Sequence, residues 1–79
     1  MRITDVARRT RATPDRIRYL DKRRYIKGRW KTINTRRVRD YPEAEVQKIE
    51  LIVKYLDQGY RYEAAFERAS EELRQPRLI

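Results

Sequence analysis

The residues with the clearest chemistry in this chain are its arginines and lysines, because both bind phosphate. Of the 21 basic residues 16 are arginine, whose planar guanidinium also fits the edge of guanine. Residues 1–41 hold 15 Lys and Arg against 4 Asp and Glu, a balance of +11, whereas residues 42–79 have a balance of −2. Together they give the net charge of +9. Positive charge concentrated in one half of a chain predicts a polyanionic partner for that half.

The residue types that are missing exclude several other kinds of chemistry. The sequence contains no cysteine and no histidine, which excludes a disulfide framework, a Cys/His zinc site and the common nucleophile–base pairs. The carboxylates fall mostly at predicted helix starts or on exposed faces, so we expect neither an enzyme nor a cofactor. No apolar run approaches the about 18 residues of a membrane span, and no signal peptide opens the chain, so we expect a cytoplasmic location.

Three explanations of the basic half compete: nucleic acid, a membrane surface, or a solvated cationic surface without a partner. A membrane-binding helix needs a broad apolar face opposite its basic face, and neither basic helix predicted below has one. A merely solvated surface would not require the uneven distribution of charge between the two halves. Nucleic acid is therefore the favoured partner, and the solvated surface stays the alternative.

A basic helix over residues 13–24 is the element that must position this chemistry. Thr13 can accept a hydrogen bond from the first turn, and Pro14 tolerates the first helical position because its missing N–H is not needed there. Ile17 and Leu20 are three residues apart and face one way. The polar and basic residues that are left to face elsewhere are Arg16, Arg18, Tyr19 and Lys22.

A shorter helix over residues 4–10 precedes it, with Thr4 as the expected cap. Its small apolar face is formed by Ile3, Val6 and Ala7. Only residues 10–12 link the two helices, and Arg11 lies where such turns usually have glycine. Two helices joined by a short turn, the second of them basic, are typical of a helix-turn-helix whose second helix enters a major groove.

A basic, loosely hairpin-like segment follows. Its predicted strands are residues 25–27 and 37–39, joined by a nine-residue loop over residues 28–36 whose tip we expect to be mobile without DNA. Residues 27–37 contain five basic residues and no acidic one. Trp30 has two interpretations: it lies across sugar and phosphate and donates its indole N–H, or it packs back on the body as a core residue.

Two further helices complete the chain. Pro42 interrupts the backbone and starts a helix over residues 43–58, whose apolar positions at spacings of three and four predict a core helix. Gly59 ends it, in the position where a left-handed residue closes a helix. A last helix spans residues 61–74 and leaves 75–79 as a tail. Its apolar side is formed by Tyr62, Ala65, Phe66, Ala69 and Leu73.

Four segments, in this order, carry a family resemblance. Residues 3–7 (ITDVA) resemble an opening helix, and residues 13–19 (TPDRIRY) resemble the motif S-P-x-x-[LI]-R-Y. Residues 39–46 (RDYPEAEV) resemble R-x-Y-[ST]-x-x-[DE]-[VL], and residues 59–65 (GYRYEAA) resemble G-[FY]-[ST]-L-x-E-[IA]. These are motifs of the MerR transcription regulators, so the chain resembles their N-terminal DNA-binding domain over residues 3 to about 69.

The resemblance implies a mainly α fold: a winged helix-turn-helix of about four helices, with a small two-stranded β wing between helix 2 and helix 3. The helix-turn-helix would span residues 3–24, the wing 25–41, and the whole domain 1–74. The implied function is sequence-specific binding of double-stranded DNA as a transcription regulator, with the recognition helix in the major groove and the basic wing on phosphates. A homodimer, side-by-side protomers on DNA, and RNA polymerase are the candidate partners that it adds.

The expected DNA-binding residues lie on the recognition helix and on the wing. Those of the helix are Thr13, Arg16, Arg18, Tyr19 and Lys22. Those of the wing are Arg29, Trp30, Lys31, Arg36, Arg37, Arg39 and Tyr41. Arg18 and Tyr19 match the family pair that enters the major groove, and Arg39 and Tyr41 match the pair at the end of the wing that contacts phosphate. Arg16 is added on position alone.

Alternatives stay open for these residues and for the function. Arg18 could pair with Asp15 or Asp21, as exposed ions commonly do, and the ring of Tyr41 could mainly pack under the wing. The long dimerisation helix and effector domain of the family have no counterpart here, so the chain is either part of a longer regulator or resembles short stand-alone members. The competing functions are an architectural DNA-binding protein of the phage excisionase type and an RNA-binding or ribosome-associated module.

Overall fold

The computed structural model describes residues 1–75 and shows, over that range, four helices and one two-stranded antiparallel sheet. The elements are α1 (Ile3–Thr10), α2 (Pro14–Lys22), β1 (Arg29–Ile33), β2 (Arg36–Asp40), α3 (Glu43–Asp57) and α4 (Tyr62–Arg74). The sheet lies between the second and third helices, which confirms the predicted winged helix-turn-helix. Of the predicted tail, residue 75 is described and residues 76–79 lie outside the described residues.

The start of α1 differs from the prediction. Thr4 lies inside the helix, and Arg2 holds the N-cap position without a side-chain cap, so the predicted role of Thr4 was wrong. The backbone of Arg2 instead forms an antiparallel bridge with Asp40, which ties the start of α1 to the wing. Arg11, at φ 64°, ends α1 in the left-handed conformation that a turn glycine would otherwise provide.

Helix α2 forms for the predicted reasons. The hydroxyl oxygen of Thr13 accepts a hydrogen bond of 3.1 Å from the backbone N–H of Arg16, and the proline follows at the first helical position. Ile17 and Leu20 are both fully buried, as the spacing predicts. The helix ends at Lys22, slightly earlier than predicted, and Arg24 beyond it has a positive φ of 62°.

The first strand of the wing lies elsewhere than predicted, whereas the second predicted strand, residues 37–39, lies within β2. The first predicted strand included Ile26, whose side chain is 1% exposed and belongs to the hydrophobic core. The true β1 begins at Arg29, two residues after the end of the predicted strand, and pairs with β2 up to a turn of only Asn34 and Thr35. Asn34, at φ 58°, tolerates the left-handed conformation of this turn better than most residues do. The predicted nine-residue loop was therefore wrong, and with it the reason to expect a mobile tip.

The end of α3 confirms the predicted glycine cap. Gly59 has φ 97°, and its N–H donates to the carbonyl of Leu56 at 3.0 Å. The N–H of Tyr60 donates to the carbonyl of Tyr55 at 3.1 Å, so two backbone hydrogen bonds close the helix. The aromatic rings of Tyr55 and Tyr60 also meet edge to face.

The last turn of α4 contacts α3 through polar groups. Glu72 accepts a hydrogen bond of 3.2 Å from the hydroxyl of Tyr55 and lies 3.9 Å from the ammonium of Lys54. Leu73, the next residue, is 45% exposed, so its predicted place on the buried side was wrong. Further back, Ala65 and Ala69 are fully buried as predicted.

One hydrophobic core joins the four helices to the base of the wing. The buried residues are Val6, Thr10, Ala12, Ile17, Leu20, Ile26, Tyr41, Val46, Ile49, Ile52, Val53, Ala65 and Ala69. At the edge of the core, Arg9 fixes α1 to α3 by ion pairs of 2.7 Å to Glu43 and 3.1 Å to Glu50. Within residues 1–75, no helix combines the length and the apolar character that crossing a membrane requires.

Candidate nucleic-acid interface

The exposed side of α2 carries basic and aromatic residues. Burial of Ile17 and Leu20 turns Arg18, Tyr19 and Lys22 away from the core. Arg18 forms the predicted alternative contact, an ion pair of 3.1 Å with Asp15, but the two side chains are 62% and 97% exposed. Such an exposed pair is worth about 1 kcal/mol or less, so it does not prevent Arg18 from binding another anion.

Tyr19 is supported by a residue of another helix. Its ring centre lies 4.7 Å from that of Tyr62, the first residue of α4, and 5.9 Å from the guanidinium carbon of Arg23. The Tyr19 side chain keeps 40% of its surface exposed. Sequence reasoning assigned Tyr62 to the core side of α4 and missed this contact, because nothing in the sequence indicates that α4 begins beside α2.

The cations of the wing lie on both faces of the hairpin. Cross-strand partners project to the same face, and Trp30 pairs with Arg39 while Thr32 pairs with Arg37. These side chains lie on the face toward α2, because Arg39 contacts Asp21 of that helix. The other face carries Arg29, Lys31 and Arg36. The structure therefore separates Arg37 from the other three exposed cations of the wing.

Trp30 lies on the surface. Its side chain is 59% exposed, which excludes the alternative that it packs back on the body as a core residue. The guanidinium carbons of Arg37 and Arg39 each lie 4.8 Å from its ring centre. Such cation–π contacts hold the indole over the basic face of the wing.

The carboxylate of Asp21 binds four donors and connects α2 to the wing. Arg39 donates from Nε to Oδ2 at 2.7 Å and from Nη2 to Oδ1 at 2.8 Å. The hydroxyl of Tyr41 donates to Oδ2 at 3.1 Å, and the backbone N–H of Gly28 to Oδ1 at 3.4 Å. The hydrogen bonds from Arg39 are the main reason that the pKa of Asp21 is lowered, although burial opposes them. We call these four residues the Asp21 cluster.

The Asp21 cluster changes the interpretation of two predicted DNA contacts. Tyr41 is 1% exposed, and burial, followed by the nearby carboxylate of Asp21, raises its pKa to about 12. Its ring packs under the wing, so the predicted phosphate contact is not available to it in this conformation. The side chain of Arg39 is 30% exposed, and two of its nitrogens are already bound to Asp21. Sequence reasoning considered Asp21 only as a partner of Arg18.

An open cleft of about 570 Å³ separates α2 from the wing. Its sides are formed by Arg18, Asp21 and Lys22 from α2 and by Trp30, Val38 and Arg39 from the wing, with Arg2, Ile3 and Tyr41 between them. The structure thus brings Arg18, Lys22 and Trp30 to one concave surface, whereas Arg29, Lys31 and Arg36 lie on the far face of the wing.

Comparison with known proteins gives one family. The model of that family, described as MerR HTH family regulatory protein, matches residues 1–72. This range contains α1, α2, the wing, α3 and all but the last two residues of α4. Comparison with curated proteins found no match.

Proposed function

The chain belongs to the MerR family of helix-turn-helix regulatory proteins, and from this we propose that it binds double-stranded DNA sequence-specifically as a transcription regulator. The observation that carries the proposal is the concentration of exposed, unpaired cations on α2 and on both faces of the wing. Elsewhere among residues 1–75, Arg9 and Lys54 form ion pairs, while other cations such as Lys48 and Arg61 form none. Over the same range no ion pair involves Lys22 of α2 or the exposed cations of the wing, which are Arg29, Lys31, Arg36 and Arg37.

In this proposal α2 enters the major groove, which is about 12 Å wide and admits one helix. Arg18 is the candidate for reading a base, because an arginine fork can bind O6 and N7 of guanine together. Tyr19 and Lys22 flank it on the exposed side of the helix. Thr13 and Arg16, at the start of the helix, complete its set of proposed contacts.

The wing supplies phosphate contacts in this proposal. Arg37 lies on the face toward α2 and reaches the DNA strand beside the recognition helix, with Trp30 next to it. Arg29, Lys31 and Arg36 lie on the opposite face and reach other phosphates. Contacts of this kind set affinity and salt dependence and carry no sequence information directly.

The partners of the proposal follow from the family. Two protomers, as a homodimer or side by side on DNA, would place two copies of α2 in successive major grooves. RNA polymerase is the proposed partner in regulation. Both go beyond the domain described here, whose contribution is the DNA-binding surface.

Two other functions use the same charged surface. An architectural DNA-binding protein would use the wing and the helix to bind DNA, with little recognition of base edges. An RNA-binding module is disfavoured, because the deep and narrow major groove of A-form RNA does not admit a recognition helix.

Selection from random duplex DNA tests the proposal, at about 150 mM salt so that non-specific binding is suppressed. We expect a short motif, recovered in pairs at a fixed spacing. Recovery of no motif, with binding that fades as salt rises, would favour the architectural alternative. Tighter binding to structured RNA than to any duplex DNA would favour the RNA-binding module and contradict the proposal.

A further inference from the structure

The Asp21 cluster is the direct side-chain connection between the recognition helix and the wing. Both oxygens of the Asp21 carboxylate are occupied, and its side chain is only 13% exposed. The arginine binds through two parallel N–H groups, an arrangement that fixes orientation as well as distance. Ion pairs of this geometry hold two elements at one separation, in contrast to the exposed pair of Arg18 and Asp15.

The cluster is also packed without spare room. A Cβ atom added to Gly28 would lie 2.8 Å from Nε of Arg39 and 2.8 Å from Cε1 of Tyr41. The backbone after α2 therefore passes directly against the side chains that come from the end of the wing. On the other side, the guanidinium of Arg39 supports the ring of Trp30 at 4.8 Å.

We infer that Asp21 is a positioning residue for DNA recognition: it fixes the wing relative to α2 and keeps the guanidinium of Arg39 from binding phosphate. The inference rests on the proposed function and deepens it. With the wing fixed, its phosphate contacts form only when α2 lies in one register in the groove, so a sequence that α2 cannot read loses both sets of contacts. Asp21 thus raises selectivity while it lowers the number of cations available to any DNA.

This predicts an unusual effect of removing the carboxylate charge. In Asp21→Asn the guanidinium of Arg39 is released and can neutralise one more phosphate. The slope of log affinity against log salt then becomes steeper by about 0.9 for each protomer. Binding to a scrambled duplex becomes tighter at low salt, and the preference for the selected site over the scrambled duplex falls several-fold. A purely structural role would weaken all binding and would not steepen the slope.

Two variants control this experiment. Asp57→Asn removes the same charge from an exposed position at the end of α3, and it should leave both slope and preference unchanged. Asp21→Asn combined with Arg39→Gln restores the wild-type net charge and should return the slope to the wild-type value. Arg39→Gln alone should leave the wild-type slope unchanged, because Arg39 does not contact phosphate while Asp21 holds it.

The same inference can be tested without DNA, because Trp30 is the only tryptophan and lies on the wing. Asp21→Asn should change the emission of Trp30 and increase its quenching by acrylamide, whereas Asp57→Asn should not. If wild type binds no duplex DNA, the proposed function fails, and this fluorescence comparison still decides whether Asp21 fixes the wing.

Circular dichroism shows whether Asp21→Asn is folded. If it is not, Arg39→Lys keeps the charge but loses the paired N–H groups, and it should show the same changes to a smaller degree. Unchanged slope, preference and Trp30 quenching in a folded Asp21→Asn or Arg39→Lys would overturn the inference. A loss of about 0.9 in slope from Arg39→Gln alone would also overturn it, by showing that Arg39 binds phosphate in the wild-type complex.

Discussion

Replacing Tyr41 by phenylalanine should remove a loss of stability that wild type suffers at alkaline pH. Tyr41 is 1% exposed, and its pKa is raised to about 12, first by burial and then by the carboxylate of Asp21. A tyrosine in the unfolded chain ionises near pH 10. Between about pH 10 and 12 the unfolded state therefore loses a proton that the folded state keeps. Stability from this group is complete below pH 10 and is lost as the pH rises through 12.

The size of the effect follows from the two pKa values. One pH unit above the unfolded pKa, at pH 11, the free energy of unfolding of wild type falls by about 1.4 kcal/mol from this group alone. At neutral pH the Tyr41→Phe variant lacks the hydrogen bond to Asp21, and a bond to a charged acceptor contributes about 1.5 kcal/mol or more. The wild-type advantage at neutral pH should therefore shrink to almost nothing near pH 11.

Urea unfolding, followed by circular dichroism at pH 8, 9, 10 and 11, measures this difference directly. Every other ionisable group is common to both proteins, so its contribution cancels in the comparison. Tyr19→Phe, at a position that is 40% exposed, controls for the loss of a tyrosine hydroxyl as such. A constant gap between wild type and Tyr41→Phe from pH 8 to pH 11 would refute the reasoning that burial of Tyr41 shifts its ionisation.

Three further predictions concern the backbone and the charged surface. Gly28→Ala should lower the free energy of unfolding by about 1 to 3 kcal/mol in urea titrations, because the added methyl group overlaps Arg39 and Tyr41. Wild-type stability in that variant would contradict the close packing of the Asp21 cluster. Gly59→Ala should lower the free energy of unfolding by about 1 to 2 kcal/mol, because alanine is strained at a φ of 97° even though the space around an added Cβ atom is open. Gly59→Asn should lower it less, because asparagine tolerates the left-handed conformation better than alanine does. Equal losses in the two variants would argue against conformational strain. Finally, log affinity should fall against log salt with a slope of about −4 to −5 for each protomer, because five exposed cations each neutralise one phosphate. These cations are Lys22, Arg29, Lys31, Arg36 and Arg37. A measured slope near −1 would contradict phosphate binding by the wing.

The helices could be predicted from the sequence because their signals are local. Thr13 and Pro14 lie next to each other at the start of α2, and the structure uses both as expected. Gly59 ends α3 by hydrogen bonds to residues within one turn. In such cases the residues that decide the conformation are neighbours in the chain, so their spacing is sufficient.

The first strand and the turn of the wing could not be placed from the sequence because their signals are weak. All five residues of β1 are exposed, so they show no alternation of buried and exposed positions. The first strand was predicted around Ile26, but the apolar side chain of Ile26 is buried in the hydrophobic core. Asn34 and Thr35 form the turn without the glycine that commonly marks a two-residue hairpin loop.

The main feature of the interface that the sequence did not reveal is the Asp21 cluster. The sequence offered Asp21 only as one of two possible partners of Arg18 on the same helix, whereas its partners come from the end of the wing. A contact between residues this far apart depends on the packing of the whole domain. The resemblance in the wing-end motif predicts that Arg39 and Tyr41 contact phosphate, whereas in the structure their side chains bind the carboxylate of Asp21.

In the proposed complex with DNA, α2 reads bases while the wing binds phosphates. The most direct test compares Arg18→Ala and Arg37→Ala with wild type on the selected site and on a scrambled duplex of equal length, with Arg68→Ala on α4 as the charge control. We predict that Arg18→Ala reduces the preference for the selected site by about tenfold or more, as expected for a lost arginine–guanine contact. Arg37→Ala should reduce the salt slope on the selected site by about 0.9 and should lower the preference less than Arg18→Ala does, because Arg37 contacts phosphate and no base. An equal loss of preference in Arg18→Ala and Arg37→Ala would contradict this division of roles.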